Sequence, residues 1–139
     1  MNNKVIGYIY LDEDDIRDIH TVQLAQFGGA DGIRNAEALS SAIAQPQSTF
    51  DSEELYPDIF LKAAVLAYCI AESQAFVDGN KRTALVAALT FLKVNGQEVP
   101  HQEDRLYEAM IAIANKTITK EDLADLFRDL VIEFNSRFK

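Results

Sequence analysis

Two stretches of this chain carry apolar residues on nearly every side of a helix: "DIFLKAAVLAYCIAE", from Asp58, and "TALVAALTFLKV", which ends at Val94. A helix without a polar face has no surface to offer water, so it must be wrapped by other elements. Neither stretch reaches the roughly 20 apolar residues that cross a bilayer, so the wrapping must come from the protein itself. Those surrounding elements also read as helices. Asp12 and Asp15 form a capping pair ahead of Ile16, Ile19 and Phe27, and Gly28-Gly29 stops the helix. Asn35 caps a short helix through about Gln45, which Pro46 ends, and Pro57 fits a first helical position. Near Lys81 the second apolar helix begins, and Asn95-Gly96 closes it. Leu106, Met110 and Ile113 mark a further amphipathic helix, and Thr119 with Asp122 caps a last one carrying Leu123, Leu126, Phe127, Leu130 and Phe134.

The expected fold is therefore all-α, a compact bundle of about six helices in a single domain over residues 1–139. "VIGYIYL", Val5 to Leu11, is rich in β-branched and aromatic residues and is expected as a short N-terminal strand or extended arm. "QPQSTFDSEELYP" reads as a polar connection. A net charge of −9 argues against direct nucleic-acid binding. The amino terminus has no secretory pattern, so a cytoplasmic protein is expected, with no membrane partner. Cys69 lies in an apolar run and is expected to be a buried thiol. His20 and His101 are expected as surface or capping residues.

Between the two apolar helices lies "SQAFVDGNKRTA", Ser73 to Ala84. Asn80 is a suitable N-cap, which puts Lys81, Arg82 and Thr83 in the first helical turn, where backbone N–H groups lack partners. Cations there oppose the helix dipole at a cost of about 0.3 to 1 kcal/mol each, and a bound polyanion reverses that sign. Gly79 lets the backbone approach such a ligand, and Asp78 supplies a hard oxygen of the kind Mg²⁺ takes beside phosphates and water. Phe76 would anchor the loop. The pattern is compatible both with a Mg²⁺-nucleotide site and with plain capping plus ion pairs to neighbouring helices. It is not a P-loop, because the spaced glycines before Lys-Ser/Thr are absent.

"FVDGNKRTALVAALTFLKVNG" resembles the signature of the Fic/Doc superfamily, roughly His-x-Phe-x-Asp/Glu-Gly/Ala-Asn-Lys/Gly-Arg. "YLDEDDIRDIH" and "FGGADGIRNAEALSSAIAQPQSTF" are similar to it in order and spacing, and Lys81-Arg82-Thr83 resembles the death-on-curing (Doc) branch. The adenylylating Fic enzymes typically carry Gly after the Asn and a second Arg, where this chain has Leu85 or Val86. The resemblance implies a toxin of a toxin-antitoxin pair that uses ATP and Mg²⁺ to phosphorylate a hydroxyl of elongation factor Tu. It implies that Asp78 holds the metal, that Gly79, Asn80 and Thr83 line the phosphate turn, and that Lys81 and Arg82 neutralise the phosphates. It also implies a cognate antitoxin that docks a helix in an apolar groove. The family's inhibitory pattern, Ser/Thr-x-x-x-Glu-Gly/Asn, is approached only at Thr117 to Asp122, which reads as a helix cap.

The departure is Gln74, at the place of the family's catalytic His. A carboxamide cannot accept a proton near neutral pH, and loss of a general base removes about 10² to 10⁴ of rate. The expectation is an inactive or impaired enzyme. Three accounts of Gln74 stand open: an abandoned catalytic role, an introduced change, or a variant with another base. A Fic-type adenylyl transferase and a catalytically silent antitoxin-binding module are the alternatives.

Overall fold

The structure, a computed structural model, describes residues 7–100 and 103–137. Six helices follow in order: α1 (Glu13–Phe27), α2 (Ala36–Ala44), α3 (Ile59–Ser73), α4 (Asn80–Val94), α5 (Glu103–Ala114) and α6 (Lys120–Ser136). The all-α expectation holds. α3 and α4 form the centre and pack most extensively on each other; α2, α5 and α6 lie against α3, and α1 and α5 against α4. Both central helices bury small side chains: Ala63, Ala64, Ala67, Ala84, Ala87 and Ala88 are fully inaccessible. Ile70, Phe91, Leu92, Phe127 and Leu130 fill the core around them.

The caps explain most boundaries. Asp12 and Asp15 make a reciprocal capping box on α1, and Thr119 and Asp122 do the same on α6. Asn35 accepts from the Ala38 N–H to start α2. Pro57 does not open α3 as expected. Asp58 is the N-cap, its carboxylate accepting from the Leu61 N–H at 3.0 Å, so Pro57 stands just outside. Pro46 does not simply end α2 either, because the chain tightens into a 3₁₀ turn over Gln45–Gln47.

The polar connection contains a small antiparallel hairpin, β1 (Thr49–Phe50) with β2 (Glu53–Glu54). It is fastened from below by Lys62, a fully buried side chain within the otherwise apolar α3. The Lys62 ammonium donates to the Pro46 carbonyl at 2.8 Å and to Glu54 Oε1 at 2.6 Å. Val5 and Ile6 of the amino-terminal stretch lie outside the described residues. Residues 7–12 form an arm, not a strand. Its ladder-like pairing is with a side chain: the Asn95 carboxamide accepts from the Ile9 N–H and donates to the Ile9 carbonyl, both at 2.8 Å.

Candidate functional site

The turn from α3 into α4 is held from several sides. α3 ends at Gln74, whose backbone is left-handed (φ 50°, ψ 35°) and whose amide donates to the Ala71 carbonyl at 3.1 Å. Phe76, only 1% exposed, drops into the core and forms an isolated antiparallel bridge with Ile33. Gly79 follows at φ 80°, a conformation that costs other residues about 1 to 2 kcal/mol.

Two details correct the reading of the sequence. Asn80 is not the N-cap. Gly79 is, and it brings no side chain to the α4 N–H groups. The Asn80 side chain instead turns back on the loop, accepting from the Phe76 N–H and donating to the Phe76 carbonyl, both at 3.0 Å. That pair of hydrogen bonds staples the turn shut. His20, expected at the surface, is buried: its ring stacks on Phe76 with centroids 3.8 Å apart, and Nε2 lies 2.8 Å from the Asp78 carbonyl. A carbonyl oxygen only accepts, so Nε2 carries the proton. His20 thus anchors the turn from α1. His101 lies outside the described residues.

The consequence is a helix terminus with its donors uncovered. The Thr83 N–H bonds to the Gly79 carbonyl, while the N–H groups of Asn80, Lys81 and Arg82 find no acceptor among the described residues. The residues that carry them belong to the lining of a cavity of ≈ 460 Å³, together with Gly28, Gly29, Gln74, Asp78 and Gly79. No carboxylate is ion-paired with Lys81 or Arg82 among the described residues. The Arg82 guanidinium lies over the rings of Phe27 (3.8 Å) and Tyr107 (4.7 Å), which position it by cation-π attraction without neutralising it. Phe27, expected on the core face of α1, is therefore half-exposed and serves as a shelf.

Asp78 lines the cavity, and its Oδ2 accepts from the Ala30 N–H at 2.7 Å. This fixes the carboxylate against the loop after α1. A Cβ at Gly29 would come within 3.1 Å of Asp78 Cβ, so glycine is what allows the approach. No group of three metal-ligating side chains occurs among the described residues. Thr83 corrects another expectation. It is fully buried, does not line the cavity, and its hydroxyl has no hydrogen-bond partner. The helical turn carries it to the opposite side from Lys81. Cys69 is half-buried, and burial pushes its thiol pKa up against the pull of Lys120.

A sequence profile described as "Fic/DOC family" matches residues 10–92, which contain α1 through the whole of the α4 terminus. The chain belongs to the Fic/DOC family. Among curated relatives it is 36% identical over 117 residues to "Toxin Doc" of Mycolicibacterium smegmatis, covering 83% of this chain and 88% of that protein. It is 28% identical over 121 residues to "Protein kinase doc" of Escherichia phage P1, covering 87% and 94%. These relatives place it in the Doc branch. In this member of the family, residues 74, 78, 79, 80, 81 and 82 meet at one cavity, whereas residue 83 does not. The residues that reading the sequence missed, His20, Gln23 and Tyr107, come from α1 and α5. No local motif marks them.

Proposed function

We propose that this protein is a Doc-like toxin of a toxin-antitoxin pair, with a phosphotransferase fold that binds ATP with Mg²⁺ and is impaired by Gln74. The observation that carries this reading is the α4 terminus: Asn80, Lys81 and Arg82, whose N–H groups have no acceptor among the described residues, all line one cavity. Such a terminus is unfavourable until an anion meets it, and a triphosphate satisfies N–H groups and both cations together. The residues suit the nucleotide. Gly79 keeps the approach free of side-chain bulk, while Lys81 and Arg82 would neutralise charge spread over the phosphate oxygens. Asp78 would hold Mg²⁺, which needs only one or two carboxylates when phosphates and waters supply the rest. Bound there, the ion would supply charge neutralisation between phosphates.

The likeness to "Protein kinase doc" supports phosphoryl transfer over adenylyl transfer, and a hydroxyl of elongation factor Tu is the acceptor implied by the family. Gln74 sits at the cavity where an acceptor hydroxyl would enter, but its amide is held by the Ala71 carbonyl and it has no basic nitrogen. That observation favours one second reading: a silent module that keeps its antitoxin-binding surface.

The Gln74→His variant separates the readings. Histidine is among the residues that tolerate left-handed backbone, so the turn should survive. The variant should arrest bacterial growth and transfer label from the γ phosphate of ATP to elongation factor Tu, at a rate about 10² to 10⁴ above the parent. Label transferred from the α phosphate indicates adenylyl transfer. Growth unaffected and no label from either position leaves the silent module.

A further inference from the structure

Outside the α4 cavity, two lysines converge on one tyrosine, and each stands where its own backbone is better served by another residue. α5 closes in a Schellman turn, the Thr117 N–H donating to the Ala112 carbonyl and the Lys116 N–H to the Ile113 carbonyl. That turn needs a left-handed residue, and Lys116 supplies it at φ 61°, where glycine is the usual occupant. Lys120 opens α6, at the positive end of the helix dipole. Both side chains nevertheless run to Tyr68 on α3. The Lys116 ammonium donates to the Tyr68 hydroxyl oxygen at 3.3 Å and lies 3.5 Å from Glu72 Oε1, while the Lys120 ammonium stands over the Tyr68 ring, 4.6 Å from its centroid. Docking the α5–α6 connection onto α3 needs one of these cations, and Glu72 neutralises that one. Lys120 has no carboxylate ion-paired with it among the described residues. On a chain of net charge −9, a second cation held against a phenol is a place for an added negative charge. The cluster is also accessible, because Tyr68 is half-buried and the Lys116 and Glu72 side chains are more than half exposed.

We propose that Tyr68 is a phosphorylation site and that Lys116 and Lys120 form the cradle for its phosphate. The donor is a nucleoside triphosphate delivered by a tyrosine-directed kinase. The phenol oxygen bonds to the γ phosphorus, the bond from that phosphorus to the β–γ bridging oxygen breaks, the diphosphate leaves, and the phenol proton passes to the kinase's base. The new group carries a charge of about −1.5 to −2 and three acceptor oxygens, at the end of a ring that both ammonium groups already face. Each lysine then makes a charge-assisted hydrogen bond to phosphate, and Glu72, now a like charge beside it, gives up Lys116. The α5–α6 connection is thereby drawn onto the last two turns of α3, the helix that ends at Gln74.

Two experiments on the intact chain test the acceptor and the cradle separately. Incubation with a tyrosine-specific kinase and MgATP should label the parent, and Tyr68→Phe should lose most of that label. Phosphotyrosine inserted at position 68 during translation then supplies the modified chain for phosphorus NMR. The second pKa of its phosphate, about 6 without charged neighbours, should lie at about 5.5 or below in the parent and return to about 6 when Lys116→Gly and Lys120→Gln are combined. Lys120→Gln alone should recover part of that difference; it leaves the Schellman turn and the Lys116 contact in place, so it guards against a folding defect in the double variant. The phosphate should also raise the melting temperature of the parent and lower that of the double variant. Label that is absent, or that survives Tyr68→Phe, overturns Tyr68 as the acceptor. A phosphate that titrates alike in parent and both variants overturns the cradle.

Discussion

Replacing Lys81 by methionine should make the ligand-free protein more stable and the ligand-bound protein less so. Lys81 is half-buried in the first turn of α4, beside N–H groups without acceptors and with no carboxylate paired to it among the described residues. A cation at that end of a helix costs about 0.3 to 1 kcal/mol. Methionine fills similar space without the charge, so the empty variant should gain about that much, or roughly 1 to 3 °C in melting temperature for a chain of this size. With MgATP the sign inverts. A charge-assisted hydrogen bond to phosphate contributes about 1.5 to 3 kcal/mol, so its loss should weaken binding about 10- to 100-fold. At a ligand concentration about 100 times the parent's Kd, binding stabilises the parent by about 2.7 kcal/mol; a variant bound about 30-fold more weakly gains only about 0.9 kcal/mol. The two melting curves should therefore change order between buffer and MgATP. Calorimetric unfolding of parent and variant, with and without nucleotide, reads this directly. A variant that melts lower than the parent in buffer would show that Lys81 supports the fold, and the argument from an electrostatically strained terminus would fail.

Asn80→Ala should cost about 2 kcal/mol, because the Phe76 N–H and carbonyl lose their partners together in a partly buried turn; urea unfolding measures it, and a loss under about 0.5 kcal/mol would mean water replaces the amide. Glu54→Gln should cost about 1 to 2 kcal/mol at neutral pH, discounted from a fully buried pair because Glu54 is half-exposed. Burial by itself pushes the Lys62 ammonium down, but the hydrogen bond with Glu54, aided by the neighbouring Tyr10, outweighs it and holds its pKa above the ordinary lysine value. A raised folded pKa contributes its stability in full below the unfolded value and loses it as pH climbs through the folded one. The difference between parent and Glu54→Gln should accordingly be constant at neutral pH and shrink above about pH 10.5. A difference that grows in alkali would contradict this sign.

The helices were legible because their signals are local. Capping pairs such as Asp12–Asp15 and Thr119–Asp122 lie within one turn, and apolar residues at helical spacing mark the buried faces. The cluster from Gln74 to Arg82 was legible for the same reason, since one turn of chain carries it. What escaped depends on distance in sequence. His20 reaches the turn across 58 positions, and nothing near it announces that Phe76 will lie under its ring. Asn80 looked like a cap because asparagine so often is one; the Phe76 backbone competes for the same carboxamide and wins, leaving the task to Gly79. Thr83 was misplaced because residues 81 and 83 are two apart on a helix and so face different ways. Gln23 and Lys62 looked ordinary until packing enclosed them.

The left-handed residue at the end of α3 has a genetic implication. The backbone at position 74 leads into a turn held through Phe76, Asn80 and His20, and histidine, like glutamine, can stand in its left-handed conformation. Glutamine and histidine codons differ by a single base. On the proposed reading, a point mutation that leaves the scaffold intact is the whole distance between a quiescent gene and a lethal one. A lineage carrying this chain would then need its antidote even while the enzyme is silent.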